Sequence, residues 1–289
     1  MKEVAGKTAF ITGGASGLGL AMARSFTGAG MKVAIADIDD DALKAAADEF
    51  AESNADVITI KLDVTDRDAL EDAARQTEEA FDKVHLVCNN AGVAISANVR
   101  DHSYADWDWV MGVNLDGVIN GVQVFTPRLL SHGEGGHIVN TASMAGHVAT
   151  QGMSIYNTTK YAVVGLSESI LQDLAHFDIG VSVLCPGFVA TGIYTSERNR
   201  PTTFGGSEIS AFDPVKDEYR PDEEKQLLQR SLDAMLDPAM IGDMVLHAVQ
   251  NDEFYIFSHP EFKEGVQERA RTISNAFDRW AAYRANYDS

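Results

Sequence analysis

The sequence predicts an α/β fold: a doubly wound parallel sheet with helices on both faces. Three observations predict it. Short apolar, β-branched runs alternate with longer helix-period segments through the first two thirds of the 289 residues, a pattern that calls for parallel strands joined by right-handed helical crossovers. A glycine cluster follows the first run and opens the first helical segment. No linker, internal repeat or low-complexity tract interrupts the series, so residues 1–289 are expected to form a single domain.

The strand candidates are 8–12, 32–36, 57–62, 86–89, 137–140 and 181–185, with a last short one at 254–257. The segments at 18–26, 42–50, 69–81, 107–130 and 152–177 carry helical patterns. In the second of these, Leu43, Ala46, Ala47 and Phe50 recur at steps of three and four and share one helix face. A final helix over 265–283 carries Arg269, Arg271 and Arg279 among acids and reads as solvated or subunit-facing, with Trp280 and Tyr283 placed to bury in a partner. The composition shifts at 190–238, which holds Pro201, Pro214, Pro221, Pro238 and the pair Gly205-Gly206. A long excursion of this kind in a compact domain is usually a lid or binding loop, so 190–238 is expected to be a substrate flap. Its Tyr194, Phe204, Phe212 and Tyr219 either wall a bulky aromatic substrate or pack the flap onto the domain.

Composition narrows the function classes. Hydrophobic residues make up 45% and charged residues 23%, ordinary for a chain that buries a core. Forty-three acidic against 23 basic residues give a net charge of −20, a field that repels nucleic acid and anionic membrane surfaces. No apolar run approaches the ~20 residues that cross a bilayer, and residues 1–7 lack an apolar signal core. A cytoplasmic protein is the expectation. Cys88 and Cys185 each end a hydrophobic run and read as small buried residues. The eight histidines form no His-Glu-x-x-His or Cys–His cluster, so no metal is expected.

The glycine cluster is Gly13-Gly14-Ala15-Ser16-Gly17-Leu18-Gly19. Placed between a strand and a helix, Gly13, Gly17 and Gly19 let the backbone turn tightly, and the helix N-terminus offers free N–H groups and a positive dipole end to a pyrophosphate. The second strand candidate runs into Asp37, 18 residues past Gly19. A carboxylate there accepts hydrogen bonds from both hydroxyls of an adenosine ribose and repels a 2′-phosphate. No Arg or Lys stands at 15, 16 or 38 to compensate, so NAD is favoured over NADP. Asp39, Asp40 and Asp41 also read as caps of the next helix.

Tyr156 and Lys160 stand four residues apart in a helical segment, so both side chains point to nearly the same side. A phenol titrates near ~10 in water, too high for a base at neutral pH; a nearby ammonium and an oxidised nicotinamide both favour the phenolate. Tyr156 would then take the proton of an alcohol as hydride leaves the carbinol carbon. Ser143, just past the strand at 137–140, offers a hydroxyl to the substrate oxygen.

These residues carry a resemblance. Over nearly its whole length the chain resembles the short-chain dehydrogenase/reductases with a single Rossmann domain, through Thr12-Gly13-Gly14-Ala15-Ser16-Gly17-Leu18-Gly19, Asp63-Val64, Asn89-Asn90-Ala91-Gly92, Asn114, Ser143, Tyr156, Lys160, and Pro186-Gly187 followed by Thr191. The resemblance implies the Ser143, Tyr156 and Lys160 roles above, with Lys160 also holding the nicotinamide ribose. It implies a water-mediated proton relay for Asn114 at a kinked helix. It places Asp63 and Val64 at the adenine, Asn90 at the ribose side, and Val189 and Thr191 by the nicotinamide carboxamide. A homodimer or homotetramer built on the helices at 107–130 and 152–177, turning over a small-molecule alcohol or ketone, is implied too. A narrower likeness, through 106–121 and the tail at 257–261, is to bacterial dehydrogenases that oxidise the benzylic (Cα) alcohol of lignin-derived aryl ethers. Steroid, polyol and hydroxyacyl alcohols, and a cofactor-holding sensor without turnover, are the alternatives.

Overall fold

In the computed structural model, residues 1–205 and 221–287 are described. Gly206, Phe212, Pro214 and Tyr219 of the predicted flap lie outside the described residues. The chain forms two compact units, Met1–Ser258 and His259–Ser289.

The first unit is a seven-stranded sheet in the order β3-β2-β1-β4-β5-β6-β7. The strands are β1 (Thr8–Thr12), β2 (Lys32–Asp37), β3 (Val57–Lys61), β4 (Leu86–Asn89), β5 (Gly136–Thr141), β6 (Ile179–Cys185) and β7 (Tyr255–Phe257). Every pair is parallel, as predicted. All five residues of β1 and all six of β5 are buried, because helices cover both faces. On one face Ile11, Ile35, Cys88 and Leu184 pack with Met22, Phe26, Ile241 and Val245. On the other, Phe10, Ala34, Val87 and Ile138 pack with Leu70, Phe125, Leu129 and Ile170. Alternate residues of each strand thus feed two separate cores.

The crossovers are α1 (Gly17–Gly28), α2 (Asp40–Ser53), α3 (Arg67–Phe81), α4 (Tyr104–Met111), α5 (Gly117–His132), α6 (Ser154–Asp173), α7 (Asp222–Asp233) and α8 (Pro238–Asn251). Asp39 caps α2 by accepting from the N–H groups of Asp41 and Ala42, both 3.1 Å. The helix predicted over 107–130 begins earlier and is broken. Ser103 and Asp106 form a reciprocal capping box at its start. A π-helical turn at Gly112–Asp116 then separates α4 from α5, the Gly117 N–H reaching back to the Gly112 carbonyl. Strand order reverses between β1 and β4, which opens a crevice at the C-terminal ends of the strands. The excursion over that crevice leaves at Val189 and returns at Leu236, where Ala190 N–H donates to the Leu236 carbonyl and Leu236 N–H to Phe188, both 3.0 Å.

The second unit is a short turn at Pro260–Phe262 and a 25-residue helix, α9 (Lys263–Tyr287). Ile273, Phe277, Trp280, Tyr283 and Tyr287 on α9 are exposed. Among the described residues, no helix is long and apolar enough to cross a membrane, and no group of three or more His, Cys, Asp or Glu is arranged to hold a metal ion.

Candidate active site

The glycine loop is held by the residues that follow β4. Thr12 Oγ1 accepts from the N–H groups of Asn90 (2.9 Å) and Ala91 (3.1 Å), and Asn90 Nδ2 donates to the carbonyls of Thr12 (3.0 Å) and Gly13 (3.2 Å). Gly13 and Gly17 have φ of 60° and 51°, the left-handed region that glycine enters without strain. Ser16, at the N-cap of α1, makes no side-chain cap bond, so the first-turn N–H groups stay available to an anion. The Thr191 side chain lies 3.2 Å from where a Cβ on Gly17 would stand.

Asp37 ends β2, buried at 8% exposure. One carboxylate oxygen accepts from Ala15 N–H and the other from Asp39 N–H, both 3.1 Å; the aspartate therefore anchors the glycine loop as well as facing the crevice. Asp63 accepts from the Thr65 N–H (2.9 Å) and hydroxyl (2.8 Å). A cavity of about 310 Å³ joins Gly13, Ser16, Gly17, Leu18, Asp37, Asp63 and Val64 to Asn90, Ala91, Gly92, Tyr156, Lys160, Pro186 and Thr191. Glycine cradle, first-turn donors and cavity-lining carboxylate together fit an adenine dinucleotide.

Tyr156 and Lys160 lie one turn apart on α6, 9% and 2% exposed. Lys160 Nζ donates to the Thr141 carbonyl at 2.9 Å and sits 5.4 Å from the Tyr156 ring centre. Ser143 opens a short turn after β5, accepts from Ala145 N–H at 3.1 Å, and shares a hydrogen bond with the Tyr156 phenol. Asn114, fully buried in the π-helical turn, exchanges two hydrogen bonds with the Val93 backbone, 2.8 and 2.9 Å, and reaches Thr159 of α6 at 3.3 Å. Its Oδ1 and Lys160 Nζ converge on Gly92, 3.5 and 3.7 Å from where a Cβ there would lie.

Five of the predicted residues do not line the cavity. Ser143 donates to the Pro186 carbonyl at 3.3 Å and is 8% exposed; Asn114 is fully buried beside Gly92; Gly19 packs under Gly13; Gly187 follows the lining Pro186; Val189 is 3% exposed, in the core. Any contact of Val189 to a ligand is made by its main chain. Burial pushes Tyr156 up to about 12 against the pull of Ser143, and burial brings Lys160 down to about 8, because desolvation disfavours the charged form of each.

A family model described as short chain dehydrogenase matches residues 7–202. The chain belongs to the short-chain dehydrogenase family. It is 34% identical over 275 residues to a C alpha-dehydrogenase of Sphingobium sp. strain NBRC 103272 / SYK-6, covering 94% of this chain and 87% of that one. It is 33% identical over 278 residues to a CLA biosynthesis dehydrogenase/reductase of Lactiplantibacillus plantarum, covering 94% and 95%. The crystal structure of a short-chain dehydrogenase/reductase from Burkholderia phymatum in complex with NAD superposes with a TM-score of 0.86 at 38% identity, covering 96% of this chain and 97% of that one.

In this short-chain dehydrogenase the cavity also takes in Phe204, one of the aromatics expected to wall a substrate or pack the flap, and Trp109, Thr141, Ile193, Ser196 and Arg198, which the sequence patterns did not single out. Trp109 was legible: it occupies a core-facing step of α4 beside the capping box. Ile193, Ser196 and Arg198 were not, since their irregular turn has no period to read.

The buried lysine makes this short-chain dehydrogenase pH-sensitive in a defined direction. Between pH 8 and the ordinary lysine value of 10.5, the unfolded chain holds a proton on Lys160 that the folded protein has released. Stability therefore rises with pH across that window, by about 3 kcal/mol at full titration. Tyr156 has the opposite sign, its folded value of about 12 against 10 lowering stability only above pH 10. Lys160→Met is expected to flatten the rise, measured by urea unfolding at roughly pH 7.5 and 10; an unchanged slope would refute it.

Proposed function

We propose that this chain is an NAD-dependent oxidoreductase that interconverts a secondary alcohol and a ketone by hydride transfer. Its substrate is a bulky hydrophobic or aromatic alcohol, the benzylic Cα alcohol of a lignin-derived aryl ether being the first candidate. The observation that carries the reading is the convergence of Tyr156 and Lys160 on the same cavity as Gly13, Gly17 and Asp37. The likeness to the Sphingobium C alpha-dehydrogenase supports the aryl substrate, as does the Trp109 and Phe204 lining. The NAD complex of the Burkholderia protein supports the cofactor.

NAD, when bound, would supply a hydride acceptor and a positively charged ring. The first-turn N–H groups of α1 hold the pyrophosphate, and Asp37 accepts from the adenosine ribose. Lys160, as ammonium, holds the second ribose and opposes the burial that keeps Tyr156 protonated. Ser143 donates to the substrate oxygen, and Tyr156 takes the hydroxyl proton as the carbonyl forms. Asn114 ties the π-helical turn to the Val93 loop and, through Thr159, to α6, which holds that geometry for a proton relay.

A panel of aryl-ether alcohols, steroids, polyols and 3-hydroxyacyl thioesters, each with NAD and NADP, tests the reading by absorbance of the reduced cofactor. Turnover of the aryl alcohols with NAD is expected. Preference for another class would reassign the substrate, and none at all would leave a nucleotide-holding protein. Asp37→Ala is expected to erode the preference for NAD by roughly 10- to 100-fold, the worth of hydrogen bonds to a charged acceptor. Equal use of NADP by the wild type would overturn that argument. The acidic field and buried free Cys88 and Cys185 support a cytoplasmic location, to be checked by cell fractionation. The exposed apolar row on α9 supports a homodimer or homotetramer; a monomer mass by light scattering would refute it.

A further inference from the structure

We propose that Arg200 is a positioning residue: a guanidinium strut between the excursion and α4 that sets the outer wall of the cavity and the size of alcohol admitted. The proposal rests on the alcohol-dehydrogenase reading and adds a specificity determinant to it.

Arg200 and Asp106 form an ion pair at 2.6 Å with side chains only 5% and 4% exposed. The same guanidinium donates from Nε to the Gly205 carbonyl and from Nη2 to the Phe204 carbonyl, both 3.0 Å. It also lies over the Trp109 ring, 5.2 Å from its centre. Its partner is fixed in turn, since Asp106 Oδ2 accepts from the Ser103 N–H (2.7 Å) and hydroxyl (2.8 Å) at the start of α4. A buried pair of this kind adds little to stability compared with apolar residues of equal volume, but it is directional and leaves one geometry in which the carboxylate and both carbonyls are met.

Position gives that direction a consequence. Trp109, Pro201 and Phe204 all line the cavity shared with Tyr156, and Phe204 packs against Val93, Ile95, Trp109, Val110 and Ile155. Arg200 holds the two carbonyls at the C-terminal end of the turn at Thr202–Phe204 and joins them to a helix 94 residues away in sequence. Only a planar fork meets a carboxylate, two carbonyls and an indole face together; a lysine ammonium replaces one of these contacts and forfeits the geometry of the rest.

The test compares wild type, Arg200→Met and Arg200→Lys in three measurements. These are kcat and KM for a bulky aryl-ether alcohol and for a small secondary alcohol, the Kd of NADH, and amide hydrogen exchange over residues 200–205. With Arg200→Met, KM for the bulky alcohol is expected to change by roughly tenfold or more, with KM for the small alcohol and NADH affinity held. The Phe204 and Gly205 amides are expected to exchange faster. Arg200→Lys restores part of the protection and part of the KM ratio, and it carries the test if the methionine variant does not fold. An unchanged KM ratio with unchanged exchange overturns the proposal. So does a parallel loss of NADH affinity and of both activities, which marks a general structural role. If the wild type turns over no alcohol, the functional reading fails and the exchange measurement alone decides the strut: protection lost supports it, protection kept overturns it.

Discussion

Tyr156→Phe is expected to lower kcat by about 10²- to 10⁴-fold, the range over which a positioned acid or base contributes, while the Kd of NAD stays close to wild type. The substitution removes one oxygen from a residue that is 9% exposed and leaves the ring, the α6 backbone and the Lys160 bond to Thr141 in place. What it deletes is the hydroxyl that meets Ser143, a loss of about 0.5–1.5 kcal/mol to the fold. A large kinetic effect with a small stability effect therefore separates proton transfer from structure. Steady-state rates with paired cofactor titration decide it. A variant within about tenfold of wild type would remove Tyr156 from the reaction.

Gly19→Ala is expected to abolish measurable NAD binding and to destabilise the protein by about 1–3 kcal/mol, the usual cost of forcing extra volume into a packed site. A Cβ at Gly19 would stand 2.1 Å from the Gly13 carbonyl oxygen, 2.7 Å from Gly14 Cα and 2.8 Å from Asn90 Nδ2. The nearer two obstacles are backbone atoms of the phosphate loop itself, and Asn90 is committed to the Thr12 and Gly13 carbonyls. The first turn of α1 has to lift away from the loop, carrying its N–H groups with it. Gly28→Ala, in the last turn of the same helix with nothing within 4 Å of its Cβ position, serves as control and is expected to hold or raise stability. Thermal unfolding and NAD titration of the two variants check the contrast. Equal behaviour would show that close packing at Gly19 is not what shapes the cradle.

Parallel strands buried on both faces must be nearly continuous in apolar, β-branched residues, so β1, β2, β4 and β5 announce themselves within one residue of their ends, while β6 begins two residues before the predicted 181. The edge strand β7, with Tyr255 and Phe257 outward and only Ile256 buried, carries a shorter run and begins one residue later than its pattern suggests. Helix α8 went unread, although Asp237-Pro238 is a cap followed by a first-turn proline and Ile241, Val245, Ala248 and Val249 follow at helical steps. Its cap closes the proline-rich stretch that reads as flap, and the composition of that stretch masks the periodicity that follows it.

The candidate site divides in the same way. The spacing of Tyr156 and Lys160, the glycines at 13, 17 and 19, and Asp37 at a strand end are local facts, because helix pitch and strand order place them without reference to the rest of the chain. Three things were decided only by tertiary structure. The burial that pushes the Tyr156 phenol up is a sum over every neighbour, and no motif encodes it. Asp37 doubles as the anchor of Ala15, because that bond spans two strands. Arg200 meets Asp106, because an irregular turn folds back on a helix far away in sequence. Contacts within a few residues follow from backbone geometry and can be read along the chain; desolvation and long-range pairing exist only once the chain has closed on itself.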